Sequence, residues 1–167
     1  EQRLVSKSYK GVIAINVKLE SPNYKGSVQI KSYLKDSQKV SKQGKDPRIQ
    51  EDDYKSEFKV LYPRESTIHV KTNESNLNLL TTMMHSIDLG CYQVQQDLVS
   101  TKYHMLQDDN PIELSKYIVY TTDLYEEEFE AAHKNVVKEL NTVSFSDLIL
   151  MEKTSSKAFW DKALIQL

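Results

Sequence analysis

From Tyr9 to Glu20 the side chains alternate, with Gly11, Ile13, Ile15, Val17 and Leu19 on one parity and Val12, Ala14, Asn16 and Lys18 on the other. The first parity is nearly all apolar, which predicts a half-buried strand. Ser21-Pro22-Asn23 breaks the pattern with turn chemistry, because proline fixes φ and asparagine tolerates tight backbone geometry. Gly26 to Leu34 then resumes an extended pattern, and the two segments together read as an antiparallel hairpin. Residues 35–53, KDSQKVSKQGKDPRIQEDD, hold almost no apolar side chains and so predict a mobile loop. Tyr54 to Tyr62 and Ser66 to Lys71 read as two further strands joined across Pro63-Arg64.

Beyond residue 72 the period changes. Leu77, Leu80, Met84 and Ile87 recur at spacings of 3, 4 and 3, with Asn73 or Ser75 available as N-cap and Gly90 as the C′ residue. That pattern predicts an amphipathic helix. Residues 91–106 fit a helix through Cys91, Val94, Leu98 and Met105, and a strand face through Tyr92, Val94 and Leu98; the helix is favoured. Asn110-Pro111-Ile112-Glu113 is a helix start signal, but the β-branched stretch Tyr117 to Thr122 keeps a strand open as the alternative. Asp123 and Glu126 form a capping box ahead of a stripe of Tyr125, Phe129, Ala132, Val136 and Leu140 that stops at Asn141, which predicts a long helix. Val143 to Glu152 reads as a strand, and Ser155 caps a last helix bearing Phe159, Trp160 and Leu164.

These elements define an α+β fold: an amino-terminal antiparallel sheet of about four strands packed against a helical carboxy-terminal half, with late strands able to extend the sheet. The 167 residues suit one domain, with 39% apolar and 28% charged residues giving a packed core under a charged surface. The start at Glu1 without a methionine and the finish at Leu167 inside a predicted helix fit either a piece excised from a larger protein or a processed product. No apolar run approaches the length of a bilayer span, so no membrane-crossing segment is expected. Cys91 is the only cysteine, which leaves no internal disulfide or cysteine-based metal site and tilts the expected compartment toward a reducing, intracellular one.

Charge changes the functional picture more than composition does. Residues 1–48 carry 11 Lys or Arg against 4 Asp or Glu, a local charge of +7, while residues 49–167 carry 11 against 20, a local charge of −9. A partner meets those fields rather than the net −2. Lys10, Lys18, Lys25, Lys31, Lys35, Lys39, Lys42, Lys45 and Arg48, with Tyr24 and Tyr33, are the candidate contacts. Lysines beside exposed aromatics can grip phosphates and stack bases, yet arginine is scarce and the K/R-G-F/Y-G/A-F signature is absent. The ten tyrosines supply rigid contact area of the kind enriched at protein interfaces.

Catalytic spacing is missing. His69, His85, His104 and His133 show no metal-ligand pattern, and the chance that His85 meets His104 depends on two paired helices. The carboxylate runs Glu51-Asp52-Asp53, Asp108-Asp109 and Glu126 to Glu130 read as solvated caps and loop charges. Gly11, Gly26, Gly44 and Gly90 are too dispersed for a phosphate-cradling loop, so no cofactor is expected. On this sequence the favoured expectation is a noncatalytic protein-interaction or scaffold domain that meets another protein or a second copy of itself. A nucleic-acid-binding module using the basic hairpin and loop is the rival, and a hydrolytic enzyme without a readable motif comes third.

Overall fold

The computed structural model describes the chain apart from residues 35–53, 60–64, 74, 88–90, 97–99, 108–110, 125–127 and 163–167. The mobile loop expected at 35–53 and the C′ role of Gly90 therefore lie outside the described residues. The fold is α+β, as expected, with antiparallel strands followed by two carboxy-terminal helices. The strands are β1 (Gln2–Val5), β2 (Val12–Leu19), β3 (Gly26–Tyr33), β4 (Tyr54–Lys59), β5 (Ser66–Thr72), β6 (Asn78–Ile87), β7 (Cys91–Gln96), β8 (Ser100–Gln107) and β9 (Ile112–Thr122). The helices are α1 (Phe129–Leu140) and α2 (Phe145–Lys162).

Six strands form one sheet in the order β1-β2-β9-β6-β5-β4, and three form another in the order β3-β8-β7. Helices cover one face of the larger sheet, where Val12, Ala14, Met84, Tyr117 and Val119 meet Val137, Leu140, Phe145 and Leu148. The smaller sheet covers the other face, with Tyr103 and Met105 packed on Ile112 and Leu114. Burial of these two contiguous clusters is the main stabilising contribution, at about 25 cal/mol per Å² of apolar surface.

Several elements differ from their sequence patterns, and one cause accounts for most of them. The segment 78–87 is strand β6, not a helix, because it lies between β5 and β9 with both faces covered. Leu80, Thr82 and Met84 are buried, and so are Thr81 and Met83 of the opposite parity. A strand buried on both sides shows no clean alternation, and its apolar positions then match a helical spacing by accident. Asn73 and Ser75 belong to the turn before it, where the Ser75 and Thr72 hydroxyls are hydrogen bonded at 2.6 Å. Residues 91–96 and 100–107 are likewise strands rather than the favoured helix, and at 112–122 the strand alternative is the one adopted.

The hairpin expected from β2 and β3 does not form. β2 pairs with β1 and β9, whereas β3 pairs with β8 in the other sheet. The two strands expected on either side of Pro63-Arg64 do form and pair, with Tyr54 opposite Thr72 and Lys59 opposite Thr67. Within β2 the deeper parity is Val12, Ala14 and Asn16, because the helices seal that side.

α1 begins later than predicted and α2 earlier. Asp123 does not cap α1; its carboxylate accepts hydrogen bonds from the Asn78 backbone N–H at 2.9 Å and side-chain amide at 2.6 Å, tying the start of β6 to the end of β9. The predicted strand at 143–152 is the first half of α2. A reciprocal cap starts it: the Asp147 N–H donates to Ser144 Oγ at 3.1 Å, and Asp147 Oδ2 accepts from the Ser144 N–H at 3.2 Å. Ser155 is therefore internal to α2, and Phe159 and Trp160 lie exposed on it.

Candidate functional site

A pocket of about 420 Å³ opens where the β1–β2 turn, the end of β9 and α1 meet, lined by residues 8–11, 120–122, Ala132 and Val136. Local chemistry in the turn fixes its shape. Ser6 is buried, its N–H donates to Val12 O at 2.9 Å, and its Oγ accepts from the Tyr9 N–H at 2.9 Å. Gly11 adopts φ +78°, and a Cβ there would lie 2.2 Å from the Tyr120 carbonyl oxygen. Only glycine lets the turn lie this close to β9. The Tyr120 N–H then donates to Gly11 O at 2.8 Å.

Glu152 of α2 clamps the same turn from below. One carboxylate oxygen accepts from Ser6 Oγ at 2.6 Å and from the Lys7 and Ser8 N–H groups at 2.9 Å each. Burial by itself would raise the pKa of this carboxyl, but the hydrogen bonds from Ser6, Ser8 and Lys7 outweigh it and hold the group at about 2. Glu152 is thus an anion bound by its own chain.

The far wall is set by a polar chain that runs under the pocket. Thr121 Oγ1 shares a 2.9 Å hydrogen bond with His133 Nδ1, whose Nε2 is 2.6 Å from Thr82 Oγ1, itself 2.7 Å from Thr67 Oγ1. Both ring nitrogens are engaged, as a neutral imidazole with one donor and one acceptor allows. Burial pushes the His133 pKa down to about 4. Tyr9, on the near wall, is shifted upward by burial and by the charge of Glu139. Among the described residues the lining carries Tyr9, several hydroxyls and one lysine but no carboxylate.

Among the sequence-based candidates, Lys10 lies on this pocket. Lys18 is exposed on β2 and pairs with Glu20. Lys25 is exposed just ahead of β3, and Lys31 points outward on β3 opposite Lys102. Tyr24 and Tyr33 are exposed, and the Tyr24 hydroxyl donates to Ser27 O at 2.9 Å. Lys35, Lys39, Lys42, Lys45 and Arg48 lie outside the described residues. Of the described candidates, Lys10 is in the β1–β2 turn, Lys18 is on β2, and Tyr24, Lys25, Lys31 and Tyr33 are on or just ahead of β3.

The histidines are also separated. His69 bonds Asn78 Oδ1 at 2.9 Å, and His104 lies 3.4 Å from the Gln29 amide on the outer side of the small sheet. His85 is on β6, not on a helix, and its ring meets Tyr103 edge-on at 5.1 Å between the sheets. Cys91 begins β7 and so is not on a helix either. Among the described residues no group of three or more His, Cys, Asp or Glu could hold a metal ion, and no helix is long and apolar enough to cross a membrane.

Residues 1–163 match the glycosyl hydrolase family 65, N-terminal domain, and the chain belongs to that family. Among solved structures it is similar to a chain provisionally described as a kojibiose phosphorylase from the human microbiome. The TM-score is 0.66 at 15% identity, over 95% of this chain and 21% of that one, so this chain spans about a fifth of that neighbour. None of the curated proteins matches.

The family overturns two expectations. The protein-interaction or scaffold reading and its nucleic-acid-binding rival rested on segregated charge, and the family match points instead to an N-terminal domain of glycosyl hydrolase family 65. Charge segregation failed as a guide because a sheet's solvent face collects lysine for solubility and edge protection whatever the protein does. Of the residues that build the pocket, Tyr120, Thr121, His133 and Glu152 carried no short-range signal, since their partners lie up to 146 positions away.

Proposed function

We propose that this chain is the amino-terminal domain of an enzyme that breaks glycosidic bonds, by water or by inorganic phosphate. The match of residues 1–163 to the family carries this reading. Phosphorolysis is the first reaction to assay, because the structural neighbour is provisionally described as a phosphorylase of kojibiose. Either reaction needs a carboxylic acid that can protonate the departing oxygen. The buried carboxyls described in this chain do not suit that task. Glu152 is held ionised near pKa 2 by its hydrogen bonds. Glu65 is raised by burial, but it is sealed from solvent and accepts from the Asn141 amide at 3.1 Å. Neither of these two carboxyls is therefore expected to be the proton donor.

The test uses the full-length protein with kojibiose and other glucose disaccharides, with and without inorganic phosphate. Phosphorolysis gives one glucose and one glucose phosphate per bond broken and stops when phosphate is withheld; hydrolysis gives free glucose in either case. Absence of both products across a panel of disaccharides and longer glycans defeats the reading.

A further inference from the structure

We infer that α2 is an interior helix of the full-length enzyme, and that its bare face is where the polypeptide following this domain docks through an apolar surface of its own. This rests on the reading of the chain as the amino-terminal domain of a larger enzyme. One side of α2 is accounted for, since Phe145, Leu148 and Glu152 are buried against the sheet and the β1–β2 turn. At about 100° per residue Leu150 stands on the side opposite Leu148, and it is 64% exposed. Phe159 returns to the Leu148 side, yet it is 60% exposed, and Trp160 is 64% exposed. From Lys153 to Lys162 every residue is exposed except the half-buried Ser156. A helix with large apolar side chains on opposite sides is one that a fold buries on both, and helical turns in a protein draw their stability from such packing.

The exposed aromatics are organised and reach the neighbouring turn. The Phe159 and Trp160 rings meet edge-on at 5.2 Å, and Lys7 Nζ lies 5.9 Å from the centre of the Phe159 ring. Val5, at the end of β1 two residues before Lys7, is 71% exposed. Two adjoining aromatic rings beside a cation have the composition of an interface core with its polar rim. The occupant follows from where the patch lies. The family match is to an N-terminal domain and runs to residue 163, at the end of α2, and this chain covers 21% of the similar solved chain. The continuing polypeptide of the enzyme then starts within a few residues of Trp160. A partner tethered so closely acts at an effective concentration on the order of millimolar, which a second copy in dilute solution does not reach.

Photo-crosslinking from position 160 of the full-length protein tests the assignment. Trp160→p-benzoylphenylalanine keeps an aromatic ring there and is expected to join, under ultraviolet light, to a segment of the same polypeptide remote in sequence from the end of α2, located by peptide mass spectrometry. A product of two-chain mass makes a second copy the occupant and overturns the proposal. So does a link confined to residues 1–167 or to the residues that adjoin α2 in sequence, and so does the absence of any link. Hydrogen exchange gives an independent reading. Phe159→Ala with Trp160→Ala is expected to speed exchange about tenfold both in 153–162 and in the cross-linked segment, with β9 unchanged. Free exchange of 153–162 in the unmodified protein overturns the proposal, so a misfolded double variant leaves the question decided by the unmodified protein and the cross-link. Disaccharide turnover without a remote link removes the docking and spares the enzyme reading; a remote link without turnover of any glycoside does the reverse.

Discussion

The two faces of the six-stranded sheet solve the same problem differently. On the helical face two buried polar groups are fully tied to partners: His133 bridges Thr82 and Thr121, and Glu152 gathers Ser6 and two backbone N–H groups. On the face covered by the small sheet, both ring nitrogens of His85 are buried without a hydrogen-bond partner, as is Thr101 Oγ1. Burial, helped by the charge of neighbouring Lys116, pushes the His85 pKa down to about 3, while burial lowers Lys116 in turn. One histidine thus organises its surroundings and the other is tolerated by them. A buried polar group contributes to specificity only when its bonds are made, and otherwise carries its desolvation cost alone.

The sharpest way to break the helical face is at the turn it supports. Gly11→Ala places a methyl group against the Tyr120 carbonyl at positive φ, and should cost about 3 kcal/mol in urea unfolding. Glu152→Gln is next. It replaces a charged acceptor of three hydrogen bonds by a neutral one, for an expected loss of about 2 kcal/mol. Because the folded pKa of Glu152 lies below its ordinary 4.5, its contribution is present above that value and is lost as pH falls toward 2. The variant should accordingly flatten the acid limb of the stability profile over that window.

His133→Leu should cost somewhat less, about 1.5 kcal/mol, by leaving the Thr121 hydroxyl without its partner beside the pocket. His85→Phe is the opposing control. It keeps a ring against Tyr103 and removes two orphaned nitrogens, so a small gain of about 1 kcal/mol is expected from thermal unfolding. Both histidines have folded pKa values below their ordinary 6.5, so the unfolded chain binds protons first and stability falls as pH drops below that value. The slope is about 1.4 kcal/mol per pH unit for each, persisting to about 4 for His133 and about 3 for His85. His85→Phe should remove one of the two contributions; a profile unchanged by that substitution would contradict the neutral burial of His85.

The legible parts of this protein are those whose signal is local. The amino-terminal strands with one exposed face announced themselves by alternation, as in β3, where Val28 and Ile30 turn inward while Ser27, Gln29 and Lys31 face solvent. α1 was visible as a stripe, although His133, Val137 and Leu140 form its deepest face and Ala132 and Val136 turn to the pocket. The start of α2 was written in the sequence as Ser144 followed by Asp147, a capping signal obscured by the apolar run Leu148 to Met151.

Sequence alone therefore determined the α+β class, the absence of a disulfide framework and the turn chemistry after β2. Only the tertiary structure decided that residues 78–87, 91–96 and 100–107 are strands, that β2 and β3 part into different sheets, and that the turn at 6–11 meets α2 and β9 to make a pocket. The physical reason is the same in each case. Local patterns record which face of a segment is wet, whereas a strand sealed on both sides and a carboxylate bonded across the chain owe their roles to neighbours that no local window contains.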